Sequence, residues 1–256
     1  MGMVLARLKG LIHRAVRTLG YDVVQTEDIY ALGPHLRALF VLLGINCVID
    51  IGGHLGEFGL LLRNLGYTGE IVSLEPLLAS FAVLSAVAAR DGHWQVHRVA
   101  VGDRDGSADL HVTEGTEMAS FLPPNSYATE QFGARVAVRT TETVPMRRLD
   151  GLLDRLVAHV PNARIFLKLD TQGYDIKVLE GASGSLQRVA ALQSEVSVKP
   201  IYDGMTALPD ALLRFRQCGF ELTGLFPVSR DSDRMRLVEL DCVMMRPLHR
   251  PTAPGA

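Results

Sequence analysis

Short apolar runs alternate with helical patterns along most of this chain. The run Cys47-Val48-Ile49 leads into a glycine-rich turn, and residues 57–65 then have the apolar spacing of a helix. A β-branched run bounded by glycines is typical of a buried strand, so we predict a strand and turn at 46–56. Further strands are predicted at 70–76, 94–101, 108–113, 136–141, 144–146, 165–170, 191–198, 220–226 and 237–245. Further helices are predicted at 77–90, 148–157, 175–188 and 207–218.

The order of these elements predicts an α/β fold. Strands that alternate with helices indicate a mostly parallel, doubly wound sheet with helices on both faces. No helix separates 220–226 from 237–245, so we expect a terminal antiparallel hairpin strand. Residues 108–113 are expected to form a hairpin with the strand at 94–101. Residues 114–135 have no periodicity, and a loop of this length is usually functional or disordered, so it could close over a ligand.

An amphipathic pattern precedes the sheet. Apolar residues of the first 18 positions recur at helical spacing, and the other face carries the basic residues Arg7, Lys9, His13, Arg14 and Arg17. These charges interrupt the apolar stretch, so we predict no secretory signal. Two interpretations remain open: a helix packed on the main domain, and a basic helix that lies on an anionic membrane surface.

The chain is expected to have three parts. Helical patterns at 28–32 and 36–43, with Gly33-Pro34 as the break between them, complete an N-terminal helical extension at 1–45. The main domain occupies 46–246. The tail at 247–256 is rich in proline and alanine, and we expect it to be disordered.

Composition excludes several classes of protein. With 256 residues, 48% hydrophobic and 21% charged, the chain suits a single globular domain with a large core. A formal net charge of -2 provides no electrostatic attraction to nucleic acid, so no such partner is predicted. The cysteines, Cys47, Cys218 and Cys242, are far apart and indicate neither a zinc site nor a disulfide framework. No run is long enough to span a bilayer, and we expect a cytoplasmic protein, membrane-associated if the N-terminal helix binds lipid.

The turn after the first strand is the first stretch that indicates chemistry. Its glycines are Gly52, Gly53 and Gly56. With Asp50 before them they form Asp-x-Gly-Gly-x-x-Gly, which differs from the Gly-x-Gly-x-x-Gly of dinucleotide sites. Glycines let the backbone turn sharply and approach a ligand closely. Glu75 ends the second strand, where an acidic side chain in nucleotide folds accepts hydrogen bonds from ribose hydroxyls.

A second strand-and-turn pattern occurs at 165–175. It is an apolar strand that ends in Asp170 and a glycine turn. Ligands bind at the carboxyl ends of parallel strands, so Asp170 either contacts a ligand or caps the following turn. Lys168 and Glu195 lie on neighbouring strands, as a structural charge pair or as part of an acceptor pocket. Carboxylates 170, 175 and 195 suit magnesium, but their spacing does not specify an octahedral site, and no metal is predicted.

Together, residues 48–56 and 167–182 resemble the FkbM family of S-adenosylmethionine-dependent methyltransferases, which have the class I (Rossmann-like) fold. The runs at 99–103 and 148–150 extend the similarity, which covers roughly 46–200. The resemblance implies a class I methyltransferase-like, seven-stranded sheet with S-adenosylmethionine as the cofactor. It assigns the following residues to cofactor binding: Asp50, Gly52, Gly53, Gly56, Glu75, Val101 and Gly102.

Two residues are catalytic candidates because of their positions, Asp170 at the end of a central strand and His54 in the glycine turn. Asp170 would orient or deprotonate an acceptor hydroxyl, and His54 would either act as a base near the methyl group or pack locally. The chain departs from the family pattern at three places. Gly53-His54 stands where the family usually has Ala-Asn, and Gln172 stands where it usually has glutamate. A second glutamate commonly follows the family's glycine, where this chain has Asp175, one position beyond Tyr174. These departures leave Asp170 as the carboxylate to consider.

The resemblance favours an O-methyltransferase that acts on a hydroxyl, most often that of a sugar in a glycolipid, polysaccharide or secondary metabolite. Its partners would be a small-molecule or glycan acceptor, with peripheral membrane contact through the N-terminal helix and a homodimer left open. Two alternatives stay open. One is a catalytically inactive nucleotide-fold binding protein, and the other is an NAD-dependent dehydrogenase, which the glycine spacing disfavours.

Overall fold

A computed structural model describes residues 31–248 except 232 and 234. The helices are α1 (Leu32–Leu43), α2 (Glu57–Asn64), α3 (Leu78–Ala88), α4 (Ser126–Phe132), α5 (Leu149–Leu156), α6 (Asp175–Gly181) and α7 (Leu208–Gln217). The strands are β1 (Cys47–Ile51), β2 (Glu70–Leu74), β3 (Trp94–His97), β4 (Ala100–Val101), β5 (Gly106–Thr113), β6 (Val138–Arg147), β7 (Ile165–Leu169), β8 (Val189–Ser197), β9 (Glu221–Arg230) and β10 (Leu237–Met245). Short 3-10 turns lie at Thr116–Met118, Gly133–Val136 and Leu186–Arg188.

The main sheet of the described chain has seven strands in the order β3-β2-β1-β7-β8-β10-β9. Strands β3, β2, β1, β7 and β8 pair in parallel, and β10 pairs antiparallel with both β8 and β9. This confirms the predicted class I methyltransferase-like architecture with its terminal antiparallel hairpin strand. The carboxyl ends of β1, β2, β7 and β8 therefore meet at one edge of the sheet.

Strand β1 lies at the centre of the core, and all five of its residues are buried. Its side chains alternate between the two faces of the sheet. Cys47, Ile49 and Ile51 face a cluster that includes the leucines of α5. Val48 faces a second cluster that includes residues of α1, α2 and α3. Helices therefore cover both faces, and each large side chain buried there stabilises the fold by about 1.5–3 kcal/mol.

Helix α1 corrects the predicted break at Gly33-Pro34. The helix begins at Leu32 and continues through both residues to Leu43, because proline is tolerated in the first turn of a helix, where its missing N–H has no partner. Leu36 and Phe40 are buried against the sheet. The predicted amphipathic helix at 1–18 lies outside the described residues, as do most of the tail and of the 28–32 pattern.

The predicted strand at 94–101 is two strands. Strand β3 pairs with β2 at the edge of the main sheet, whereas β4 pairs with β6 in a second sheet of order β4-β6-β5. The predicted hairpin between 94–101 and 108–113 is therefore wrong. Strand β5 pairs antiparallel with β6, because Leu110, Val144 and Met146 pack together in a separate small core.

The predicted loop at 114–135 is a packed segment. It contains α4, whose N-cap Asn125 accepts a hydrogen bond from the Ala128 N–H at 2.9 Å. Met118 and Ala128 are buried beside Ile201 and Tyr202.

The helix predicted at 175–188 is shorter in the structure, where α6 ends at Gly181. A Cβ atom at position 181 would lie 1.8 Å from the Gly102 carbonyl oxygen, so that close approach requires glycine.

Within 31–248, no helix is both long and apolar enough to cross a membrane.

Candidate functional site

A cavity of about 440 Å³ opens at the carboxyl ends of the parallel strands. Residues after β1, β2 and β7 line it, together with side chains of β8 and β10 and part of the 116–121 segment. Of the residues predicted to form the site, those that line this cavity are Gly52, Gly53, His54, Glu75, Val101 and Asp170. The structure brings these residues together around one concave space, where ligands bind in open α/β sheets.

The glycine turn is held tightly between β2 and the turn after β7. The N–H groups of Gly52 and Gly53 donate to the Leu74 carbonyl oxygen at 2.9 and 3.2 Å. Gly52 has a φ of +84°, and a Cβ atom there would lie 1.9 Å from the Asp170 carbonyl oxygen. Gly56 has a φ of +98° and is the N-cap residue of α2. It does not line the cavity. Glycine is therefore required at 52 by both conformation and close approach.

Asp50 lies beneath the turn and does not line the cavity. Its Oδ2 accepts a hydrogen bond from Ser73 Oγ at 2.8 Å, and Trp94 Nε1 donates to the same Ser73 oxygen at 3.0 Å. Its Oδ1 is buried and receives no hydrogen bond from the described residues. Complete burial raises the pKa of Asp50, and the nearby Lys168 ammonium opposes that rise.

Glu75 faces the cavity and also holds the turn. Its Oε2 accepts the His54 N–H at 2.9 Å, and its Oε1 accepts the Leu77 N–H at 2.8 Å. The residue is 5% exposed. Burial raises the pKa of Glu75 to about 7, although these two backbone hydrogen bonds work in the opposite direction. Each oxygen keeps a second lone pair with which it can accept a hydrogen bond from a ligand.

His54 connects the glycine turn to the 116–121 segment. Its Nδ1 lies 3.0 Å from Glu57 Oε1, and its Nε2 lies 3.0 Å from Thr116 Oγ1. The backbone of His54 is left-handed, with a φ of 44°. Both ring nitrogens have protein partners, so in this arrangement His54 joins the two walls of the cavity.

Val101 and Gly102 lie on the side of the cavity formed by β4. Val101 is buried and lines the cavity. Gly102 does not line it, because it packs against Met146 and Tyr174, and a Cβ atom there would lie 2.5 Å from the Met146 sulfur.

Asp170 presents a carboxylate to the cavity from the end of β7. Its Oδ2 accepts a hydrogen bond from Lys168 Nζ at 2.8 Å, and its Oδ1 accepts one from Gln172 Nε2 at 3.0 Å. About a third of the side-chain surface, 33%, is exposed. Burial works to raise the pKa of Asp170, but the Lys168 charge and hydrogen bond outweigh it and hold that pKa below its usual range. Lys168 is itself buried and lies 5.1 Å from the centre of the Phe58 ring.

Gln172 joins Asp170 to Glu195. Its Nε2 also donates to Glu195 Oε2 at 2.9 Å, and its Oε1 lies 2.8 Å from the Tyr202 hydroxyl. Burial, followed by the neighbouring Asp170 charge, raises the pKa of Glu195 well above its usual range. The side chain that forms this bridge extends from a left-handed backbone, because Gln172 has a φ of 51°. The Asp170 carboxylate, with its lowered pKa, and the Glu195 carboxyl group, with its raised pKa, therefore lie side by side.

Sequence reasoning missed Gln172 as a bridge, and it also missed Gln193 and Asp241, which line the cavity. Gln193 Nε2 donates to Asp241 Oδ1 at 2.8 Å. For Gln193 and Asp241, the signal available in the sequence was a polar residue inside an otherwise apolar strand, as it was for Glu195.

Asp175, a candidate metal ligand, is engaged elsewhere. It accepts hydrogen bonds from the Thr171 N–H and from Ser194 Oγ. Among the residues that the structure describes, no group of three or more His, Cys, Asp or Glu side chains is arranged to hold a metal ion.

Comparison with protein families gives one match. A model described as the methyltransferase FkbM domain matches residues 50–222, which is more than half of the chain. No curated protein matches the sequence.

Solved structures with a similar fold include three methyltransferases. Methyltransferase FkbM from Methylobacillus flagellatus KT is 16% identical, with a TM-score of 0.48, over 77% of this chain and 43% of its own. This chain therefore spans less than half of that protein. The 1,6-didemethyltoxoflavin-N1-methyltransferase of Burkholderia thailandensis is 13% identical, with a TM-score of 0.44, over 96% of this chain and 89% of its own. An rRNA methylase from Streptococcus thermophilus is 11% identical, with a TM-score of 0.44, over 85% of this chain and 98% of its own.

Proposed function

We propose an O-methyl transfer for this chain, which belongs to the FkbM methyltransferase family. The acceptor is a hydroxyl group, that of a sugar unit in a glycolipid, a polysaccharide or another secondary metabolite. The observation that carries the proposal is the Asp170 carboxylate, which Lys168 keeps ionised on the wall of the cavity that the glycine turn also lines.

S-adenosylmethionine is the methyl donor of this family, and the residues of the cavity fit it. Gly52 and Gly53 line the cavity, and the neighbouring Asp170 carbonyl oxygen, Leu84 and Ser73 leave no room for a Cβ atom at either position. Glu75 offers acceptor lone pairs for ribose hydroxyls, and Val101 offers an apolar wall for the adenine ring. The unpaired, buried Oδ1 of Asp50 is an acceptor beneath the turn that would attract an ammonium group directly or through water.

Bound S-adenosylmethionine supplies a methyl group on a positively charged sulfur. The task of the protein is to hold an acceptor hydroxyl in line with that methyl group, because alignment at near-contact distance provides much of the rate. Asp170 would accept the hydrogen bond of the hydroxyl and take its proton as the new C–O bond forms and the bond between the methyl carbon and sulfur breaks. Lys168 and Gln172 each donate to one oxygen of Asp170, so they fix the direction of its remaining lone pairs.

The partners proposed from the sequence remain part of this function. The acceptor is a small molecule or a glycan, without nucleic acid, and the protein acts in the cytoplasm. The basic N-terminal pattern at 1–18 would bring the site to a membrane if the acceptor were a glycolipid. The panel of acceptors should also include RNA, because the proposal excludes nucleic acid as an acceptor.

Calorimetry and methyl transfer together test the proposal. We expect S-adenosylmethionine and S-adenosylhomocysteine to bind, and NAD not to bind. We expect labelled methyl groups to appear on oxygen in at least one member of a panel of glycosides, glycolipids and RNA, as identified by mass spectrometry and NMR. Absence of binding by both adenosyl compounds would overturn the proposal, and binding without transfer across the panel would favour a non-catalytic binding protein.

A further inference from the structure

One end of the cavity has an excess of acceptor groups. Strands β8 and β10 pair with Glu195 opposite Asp241, so both side chains lie on the same face of the sheet. Lys168 on β7 pairs with Gln193 on β8, which places all four residues around the same region. All four line the cavity, together with Asp170.

The charges in this region do not balance. Lys168 is the only lysine or arginine among the described residues that line the cavity, and its hydrogen bond is directed to Asp170. The polar partner of Asp241 is the Gln193 amide, and that of Glu195 is the Gln172 amide. Among the described residues, neither carboxyl group therefore forms an ion pair of its own. Burial raises the pKa of Asp241 and of Glu195, and the Lys168 charge, which they share with Asp170, opposes the rise only in part.

Gln193 provides an independent indication of a ligand. The residue is 1% exposed, and its amide NH2 is directed to Asp241. Its Oε1 is buried and accepts no hydrogen bond from any described residue. Buried carbonyl oxygens almost always accept a hydrogen bond. An unpaired acceptor beside two carboxyl groups that share a single lysine charge with Asp170 fits a ligand that brings hydrogen-bond donors and positive charge.

The cavity also has apolar side chains in its lining. They include Phe58 and Leu61 of α2, Leu32 of α1 and Val228 of β9, and Phe58 lies 5.1 Å from Lys168 Nζ. A ligand that fills the space therefore meets apolar groups as well as hydrogen-bond acceptors. A sugar ring suits this lining, because its C–H groups form an apolar face.

We infer that the acceptor is a sugar that carries a protonated amine, and that Asp241, Glu195 and Gln193 Oε1 receive the ammonium group while Asp170 receives the hydroxyl. This inference rests on the proposed O-methyl transfer, because it assigns the acceptor end of that same site. The amine selects the acceptor and is not itself the methylated atom. A neutral sugar would leave both carboxyl groups with only the Lys168 charge that they share with Asp170, and it would therefore bind more weakly.

Direct binding tests the inference without requiring turnover. The protein is loaded with S-adenosylhomocysteine and titrated with methyl glucosaminide, methyl glucoside and methyl N-acetylglucosaminide at neutral pH. We expect the amine to bind roughly tenfold or more tightly than either neutral probe, because a charge-assisted hydrogen bond replaces a neutral one. Equal affinity for the three probes, preference for a neutral probe, or no binding of the amine would overturn the inference.

Two matched variants test whether Asp241 is responsible for the preference for the amine. Asp241→Asn removes one carboxylate of the site and keeps its shape, so we expect it to reduce the ratio of amine affinity to glucoside affinity roughly tenfold. Asp154→Asn removes the same charge from a side chain that is 92% exposed on α5, and it should leave the preference unchanged. An unchanged preference in Asp241→Asn, or an equal loss in both variants, would contradict the assignment.

The outcomes separate this inference from the proposed function. If the amine binds preferentially but no methyl transfer to oxygen occurs, the amine site stands and the O-methyl transfer fails. If a neutral glycoside is methylated on oxygen and the amine gives no advantage, the O-methyl transfer stands and the amine site fails.

Discussion

At the scale of single residues, Asp170 and Glu75 are both carboxylates on the cavity wall, but their surroundings give them different tasks. Lys168 and Gln172 each donate a hydrogen bond to one oxygen of Asp170, and they fix the position of its negative charge on the cavity wall. Backbone N–H groups of His54 and Leu77 hold Glu75, whose burial raises its pKa to about 7. The first arrangement suits a group that orients an acceptor, and the second suits one that binds the ribose.

Substitution should separate the two tasks. We expect Asp170→Ala to lower kcat by roughly 100-fold or more, with affinity for S-adenosylhomocysteine within about twofold of the parent chain. We expect Glu75→Ala to weaken that affinity by about tenfold or more, because it removes the proposed acceptor of the ribose hydroxyls and two hydrogen bonds that hold the turn. Calorimetry and steady-state kinetics measure both effects. Equal loss of cofactor affinity in the two variants would refute the division.

The raised pKa of Glu75 predicts a pH dependence of cofactor binding. Ribose hydroxyls donate more strongly to the ionised carboxylate, so a bound ribose lowers the pKa of Glu75. By linkage, affinity for S-adenosylhomocysteine should increase, by about fivefold, as the pH rises from about 6 to about 8 through the pKa of about 7. Glu75→Gln cannot ionise, and calorimetry across this range should give a nearly flat profile. A flat profile in the parent chain, or a slope that survives in Glu75→Gln, would exclude Glu75 as the group responsible.

Gln172 is expected to support both catalysis and stability. Gln172→Leu removes the bridge and leaves Asp170, Glu195 and Tyr202 each short of one partner, so unfolding by urea should show a loss of about 1–3 kcal/mol. Turnover should fall as well. Gln131→Leu is the control, because Gln131 is half-buried, does not line the cavity, and donates a hydrogen bond to the Arg230 carbonyl oxygen. Similar stability of the two variants would mean that the bridge contributes little.

At the scale of elements, two turns hold the cavity together. The glycine turn after β1 and the turn after β7 touch at Gly52, where there is no room for a Cβ atom. The Thr116–Met118 turn approaches from the other side and contacts His54 through Thr116. Because these contacts join three separate parts of the chain, a change in one turn should alter the others.

Two glycines of similar conformation distinguish crowding from backbone strain. Gly52 and Gly66 have φ values of +84° and +85°, but only Gly52 has a neighbour in the way of a Cβ atom. We expect Gly66→Ala to cost about 1 kcal/mol for the left-handed backbone alone. Gly52→Ala should cost several kcal/mol more and abolish binding of S-adenosylhomocysteine, because the Asp170 turn must move. Thermal unfolding and calorimetry measure these effects, and a similar cost for both substitutions would show that the turns separate easily.

At the scale of the whole molecule, the order of the strands brings the two halves of the site together. The cofactor-binding candidates follow β1 and β2, and the acceptor residues lie on β7, β8 and β10. Because β10 inserts between β8 and β9, Asp241 lies beside Glu195, although 46 positions separate them in the sequence. The terminal hairpin therefore contributes to the site as well as to the sheet.

Much of this arrangement could be predicted from local patterns. Apolar runs and helical spacing located the strands of the main sheet, because burial imposes a period of two on strands and 3.6 on helices. The glycine turn, Glu75 and Asp170 were recognisable because each follows a strand directly. The split of 94–101 and the partner of β5 were not, because strand pairing depends on packing between distant segments, here Leu110 with Val144 and Met146.

The family, the class of fold and the candidate residues beside the two glycine turns follow from local patterns in the sequence. The uses of the other polar groups depend on the tertiary structure. It placed Asp50 beneath the turn, gave His54 two protein partners, and made Gln172 a bridge between two carboxyl groups. It also brought Gln193 and Asp241 to the cavity. The reason is physical: a local pattern reports which face of an element is buried, whereas partners and pKa values depend on residues that only folding makes neighbours.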